Sequence, residues 1–270
     1  PTPCFVSYQA EVILAGGVPV EIPARLENNF TIDPDDIRKA ITPRTKVIFI
    51  GYPSNPTGAV APREVMLEIA KIADKHDLIV VSDEIYDRLV YDFDHVCFPA
   101  LDEGLKHRTI LLGGFSKDYA MTGWRIGYAG GPKTIIAAMK KIQSQSTSNP
   151  CSISQAASVA ALNGDQSCVR EMTKAFRARH DYLVAALNEI PGFRCLRSAG
   201  TFYAFPNVSE AIQAKGLKDD LELASLLLKE AEVAVVPGSA FGAAGYIRLS
   251  FACSLDTLKE TIRRLRRVIG

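Results

Sequence analysis

The chain lacks an excess of charge of either sign. Lysine and arginine number 31 against 30 aspartates and glutamates, a formal net charge of +1 over 270 residues, so no general field attracts nucleic acid or an anionic membrane. The densest basic cluster, Arg263-Arg264-Leu265-Arg266-Arg267, alternates with Leu258, Ile262, Leu265 and Ile269 at helical spacing and reads as a solvated helix face rather than a binding patch. No stretch approaches the roughly 18 apolar residues of a membrane span, and no basic start followed by an apolar core marks a signal peptide. The six cysteines, at 4, 97, 151, 168, 195 and 253, lie far apart, without a Cys-x-x-Cys pair or a histidine at metal-ligand spacing. Neither a bound metal nor a disulfide framework is expected, and reduced thiols fit a cytoplasmic protein. Internal repeats and low-complexity segments are also missing. What is there is 47% hydrophobic and 23% charged, a globular composition long enough for one large domain or one large and one small. The first residue is Pro1 rather than methionine, and an upstream segment is expected.

Residues 46 to 112 alternate short apolar runs with helical pattern, the mark of parallel βαβ units. Lys46 to Ile50, Leu78 to Val81 and Thr109 to Leu112 read as strands, and Pro62 to His76 as a helix in which Val65, Ile69 and Ala73 repeat every four residues and Pro62 suits the first helical position. Right-handed crossovers would send the carboxyl ends of these strands to one sheet edge, where open α/β folds bind ligands. Trp124 to Ala129 reads as a strand returning after Gly123. Helices are expected over 133–144, 153–162 and 169–190. From Phe193 the pattern becomes strand, helix, strand, strand, helix: 200–206, 221–230, 234–237, 247–252 and 255–268. The expected division is a large α/β domain over 1–180 and a small α+β domain over 181–270.

On that sheet edge the sequence places a set of polar residues. Asn55 follows the first strand in Tyr-Pro-Ser-Asn-Pro-Thr-Gly, Asp83 ends the second, and Ser116 with Lys117 follows the third. If the returning strand runs antiparallel, Arg125 joins them. Pyridoxal phosphate needs a lysine for its aldehyde, a carboxylate for its pyridine nitrogen, donors to its ring hydroxyl, and a cation with hydroxyls for its phosphate. The chain offers Lys117, then Asp83, then Asn55 with Tyr86, then Arg125 with Ser116. Taken singly, each residue has a plainer reading. Lys117 could be solvated surface, Asp83 a helix cap, Asn55 a turn residue, Tyr86 a core aromatic and Arg125 a strand-end charge. In Tyr246-Ile-Arg-Leu-Ser-Phe, alternation sets Ile247, Leu249 and Phe251 on one face and Arg248 on the other, which by pattern alone is a surface arginine.

Together, Pro53-Ser-Asn-Pro-Thr-Gly58, Ser82-Asp-Glu-Ile-Tyr86, Phe115-Ser-Lys117, Gly123-Trp-Arg-Ile-Gly127 and the late Arg248 resemble the successive motifs of the class I/II aminotransferases, the fold-type I pyridoxal-phosphate enzymes. The resemblance runs from Pro1 to Gly270. It implies a mostly parallel α/β large domain with a smaller C-terminal α+β domain, and transfer of an amino group from an L-amino acid to a 2-oxo acid, with 2-oxoglutarate the default acceptor. Lys117 would form the internal aldimine and shuttle the proton, and Asp83 would pair with the pyridinium. Asn55 and Tyr86 would bond the phenolic oxygen, and Ser116 with Arg125 the phosphate. Phe5 matches the place of a ring-stacking aromatic. Arg248 matches the arginine that clamps the substrate α-carboxylate, and a homodimer is implied.

The same resemblance sets out where the chain departs from its pattern. Family chains carry roughly another hundred residues before the point matching Pro1, holding an arm, a glycine turn at a helix N-terminus and a tyrosine that reaches the neighbouring subunit, so a fragment of a longer enzyme is expected. Gln143 to Pro150 offers no positive charge for a second substrate carboxylate. Two other activities are compatible with the motifs: a carbon–sulfur β-lyase using the same lysine and aspartate, and a non-catalytic aminotransferase-like regulatory domain.

Overall fold

The computed structural model describes all 270 residues. In chain order its regular elements are helix α1 (Ser7–Leu14), α2 (Pro34–Ala40), strand β1 (Val47–Gly51), α3 (Arg63–Lys75), β2 (Ile79–Asp83), β3 (Thr109–Gly114), β4 (Gly127–Gly130), α4 (Lys133–Ser146), α5 (Ser152–Asn163), α6 (Ser167–Leu187), β5 (Tyr203–Ala204), α7 (Ser209–Ala214), α8 (Asp220–Leu226), β6 (Val236–Pro237), β7 (Ile247–Ser250) and α9 (Leu255–Ile269). They fall into two compact units. One comprises Asp33–Pro53 and Ala61–Thr173, the other Pro1–Ile32, Ser54–Val60 and Lys174–Gly270.

The first unit is built on a four-stranded sheet in the order β1-β2-β3-β4. β1 to β3 are parallel, with Gly51 opposite Asp83 and Asp83 opposite Leu112, and β4 runs antiparallel to β3 with Gly114 opposite Gly127. The expected mixed, mostly parallel α/β sheet is therefore present. α3 forms because Met66, Ile69, Ala70, Ile72 and Ala73 line one buried face, each large aliphatic group contributing about 1.5–3 kcal/mol on burial. Pro62 lies just outside the helix as its N-cap rather than at its first position. At the other end Arg108, buried just ahead of β3, donates to the carbonyls of Ala73 and Leu78, both at 3.2 Å.

The second unit carries the antiparallel sheet β5-β7-β6 with α7, α8 and α9. In α9, Leu258, Ile262, Leu265 and Ile269 are buried, and Ser254 caps the helix by accepting from Thr257 N at 3.1 Å. Its basic face points outward into ion pairs: Arg263 and Arg264 to Glu260, Arg264 to Glu232, and Arg266 to Glu189. Those partners account for the cluster as a solvated face. The cysteines are all unpaired, no side-chain group is arranged to hold a metal, and no helix is long and apolar enough to cross a membrane.

Candidate active site

In the first unit, chemistry collects where β2 and β3 end. Asp83 is the last residue of β2, and β3 closes at Gly114, three positions before Lys117. Because the two strands are parallel neighbours, Asp83 and the Ser116-Lys117 pair leave the sheet at the same carboxyl edge. No helix follows Asp83, so it caps none. Its Oδ1 accepts from Ile85 N at 3.1 Å, closing a tight turn. The backbone there is held from both sides, Tyr52 N donating to Asp83 O at 3.2 Å and Glu84 N to Leu112 O at 2.8 Å. Tyr86 in this turn is 3% exposed. Phe115 anchors the lysine segment, its buried ring 5.7 Å from that of Tyr119 and 5.9 Å from that of Tyr128. Gly113 lies opposite Tyr128 and leaves room for its ring, since a Cβ there would stand 2.5 Å from Tyr128 Cζ.

Arg125 reaches this edge by a route the sequence pattern misreads. Instead of a strand over 124–129, Thr122–Trp124 make one 3-10 turn and Arg125 takes a left-handed conformation with φ of 51°. β4 begins only at Gly127, where the chain has reversed far enough to face Gly114. Antiparallel pairing at that point still leaves Arg125 at the edge from which Lys117 departs. Its side chain is exposed, and Nη1 donates to Thr122 O at 2.9 Å. Next to Lys117, Asp118 is 2% exposed, and burial, then the neighbouring carboxyl of Asp87, pushes its carboxyl well above the usual range.

In the second unit the structure joins Asn55 and Arg248 directly. Alternation along β7 buries Ile247 and Leu249 and leaves Arg248 half-buried on the other face, as expected. Arg248 Nη1 donates to Asn55 Oδ1 at 2.7 Å, and the guanidinium lies over two rings, 4.3 Å from the centroid of Tyr203 and 4.8 Å from that of Phe241. No carboxylate pairs with it, and its buried Nε has no partner. A guanidinium held against two rings and bonded through one nitrogen keeps further donors that suit a planar carboxylate. Tyr203 and Phe241 carry no periodic signal in the sequence and are seen only once β5 lies beside β7.

The loop bearing Asn55 is pinned within the same unit. Gly58 O accepts from Ala199 N at 3.1 Å and Gly200 N at 2.9 Å. Only glycine fits there, because φ is +68° and a Cβ would lie 2.4 Å from Ser198 Cβ. Ser198 N in turn donates to Nε2 of His180 at 3.1 Å. Phe5 lies just before α1, 38% exposed, its ring edge-on to Tyr8 at 5.8 Å.

Comparison with known proteins places the chain. The family model for aminotransferase class I and II matches residues 1–265. The aspartate aminotransferase of Bacillus subtilis (strain 168) is 47% identical over 270 residues, which is 100% of this chain and 69% of that one. The aspartate/prephenate aminotransferase of Nitrosomonas europaea is 47% identical over 278 residues, covering 100% and 70%. Among solved structures, the aromatic aminotransferase from Pyrococcus horikoshii OT3 superposes with a TM-score of 0.93 at 42% identity over 99% of this chain and 71% of that one. The Rhizobium meliloti aspartate aminotransferase gives a TM-score of 0.94 at 42% identity over 100% and 69%. With this fold and this match, the chain belongs to the class I and II aminotransferases, pyridoxal-phosphate-dependent transaminases of fold type I.

Proposed function

We propose that the protein transfers the amino group of an L-amino acid to 2-oxoglutarate, with L-aspartate the first donor to try because of the names its relatives carry. The observation that carries this reading is the departure of Asp83 and Lys117 from neighbouring parallel strands at one sheet edge. The donor set fits pyridoxal phosphate chemically: an acid, an amine, a hydroxyl and a guanidinium with one backbone partner. Lys117 Nζ is the covalent holding point and, when released by the incoming amine, takes the proton from the substrate Cα. Asp83 holds a proton on the ring nitrogen. Ser116 and Arg125 hold the phosphate, Asn55 and Tyr86 the ring oxygen, and Phe5 stacks on the ring. Bound there, the cofactor supplies an electron sink for the pair left by the broken Cα–H bond.

Arg248 is the substrate clamp in this reading. Its contact with Asn55 and the two rings fixes the guanidinium in advance, so a carboxylate does not have to order it, and a bidentate grip sets which Cα bond is presented for cleavage. Lys117→Ala is expected to abolish transamination of aspartate with 2-oxoglutarate and the borohydride-reducible cofactor adduct. Normal turnover in that variant refutes the assignment. Release of pyruvate and ammonia from cystathionine without an acceptor, in place of amino transfer, would instead identify a lyase. A homodimer is part of the proposal, and light scattering would test it against the 29.4 kDa chain mass.

A further inference from the structure

Glu84 directly follows Asp83, yet none of the roles above uses it. The residue is 5% exposed, and three groups converge on its carboxyl oxygens. Ser82 Oγ and Phe98 N each donate to Oε1 at 2.9 Å, and His95 Nε2 lies 2.6 Å from Oε2. A buried carboxylate is strongly disfavoured unless its lone pairs are met, and charge-assisted bonds of this kind are the strong ones. His95 belongs to the irregular segment 91–97, which has no strand ladder of its own. Through His95 and Phe98 that segment is tied to the residue adjoining Asp83. Glu84 N donating to Leu112 O at 2.8 Å, and Asp87 N donating to Glu84 O at 3.0 Å, complete a frame around the turn. Within it, the Asp83–Tyr86 segment cannot rotate without breaking hydrogen bonds made around the buried Glu84 carboxyl group.

We propose that Glu84 and His95 are positioning residues that hold Asp83 and Tyr86 in the geometry required for binding pyridoxal phosphate. The proposal rests on the reading of Asp83 and Tyr86 as cofactor contacts. In this role the Glu84 carboxylate and the His95 imidazole act through the Asp83–Tyr86 segment. The Cys97 thiol is a further neighbour of Glu84: burial, then this carboxylate, pushes it up to about 12.

The test uses the full chain in five forms: wild type, His95→Ala, His95→Gln, Ser82→Ala, and Asp83→Asn as a control. Pyridoxal phosphate is titrated into each apoprotein by absorbance and fluorescence quenching, apoprotein melting is recorded, and kcat and KM are measured on the holoenzyme. His95→Ala is expected to raise the cofactor dissociation constant about tenfold, the loss that follows removal of one charge-assisted bond. Its kcat should fall while KM for the amino acid stays within about twofold. His95→Gln, whose amide N–H reaches toward Oε2, should recover most of the affinity. Should His95→Ala fail to fold, Ser82→Ala removes a single donor and is expected to weaken cofactor binding about threefold. Wild-type affinity in the variant that folds overturns the proposal, as does an affinity loss that merely follows a lower apoprotein melting temperature and is not recovered by His95→Gln. The control separates the two levels of the argument. If Asp83→Asn binds cofactor normally, the site reading is at fault. If Asp83→Asn is impaired and His95→Ala is not, only the positioning role fails.

Discussion

A single hydrogen atom matters at Gly58. The residue has φ of +68° and stands where a methyl group would collide with Ser198 at 2.4 Å, so Gly58→Ala must displace either its own loop or segment 198–200. The expected cost is about 1–3 kcal/mol, read from urea unfolding, with weaker binding of carboxylates because the loop carries Asn55. His180 makes the same region sensitive to acid. Burial holds its imidazole below the ordinary value, and Nε2 accepts from Ser198 N, so the native state needs the neutral ring. The charged neighbours are Asp181, which opposes that shift, and Arg177 and Arg197, which reinforce it. For a base whose folded pKa is depressed, the stabilisation is fully present above the unfolded value of about 6.5 and is lost as pH falls from there through the folded pKa. The urea midpoint should therefore drop between pH 7 and pH 5, and His180→Asn should flatten that dependence.

At the scale of elements, the end of α3 is held by a side chain from another strand's approach. Arg108 serves the carbonyls of Ala73 and Leu78 and reaches Asp74 at 3.2 Å and Asp77 at 3.4 Å. Arg108→Leu removes one donor from each of these carbonyls, of which Ala73 O still accepts from Leu78 N at 2.8 Å, and should cost about 1–2 kcal/mol by chemical denaturation. Asp74→Ala, at an exposed partner, should cost less than about 1 kcal/mol. The central strands were legible because each is an apolar run bounded by turn residues, and α3 and α9 because their buried residues recur at helical spacing. Other elements were not. β4 is shorter than its pattern since Arg125 takes a left-handed turn, a backbone choice that an arginine does not announce. β5 and β6 are two residues each, too short for alternation to reveal their ends. α8 passes into a π-helical turn at Leu227–Ala231, and apolar spacing does not distinguish the two ladders. α1 buries no residue at all, which left it without a periodic signal.

For the whole molecule, ligand linkage gives the broadest test. If the native chain binds pyridoxal phosphate and the unfolded chain does not, cofactor at about one hundred times its dissociation constant should stabilise it by about 2.7 kcal/mol. A cofactor-dependent rise in melting temperature, reduced in Asp83→Asn and Arg125→Ala, would report this. The compact units are discontinuous, exchanging the chain at residues 32–33, 53–54, 60–61 and 173–174, the last inside α6. By itself, the sequence determined the apolar runs and helical faces, the order of the chemistry-bearing residues and their family resemblance, because periodicity and turn preference act over about a dozen positions. Only the tertiary structure decided that Asn55 would bond Arg248 from 193 positions away and that the rings of Tyr203 and Phe241 would lie against its guanidinium. Those meetings depend on how distant segments pack, and packing is a property of the assembled volume that no local pattern encodes.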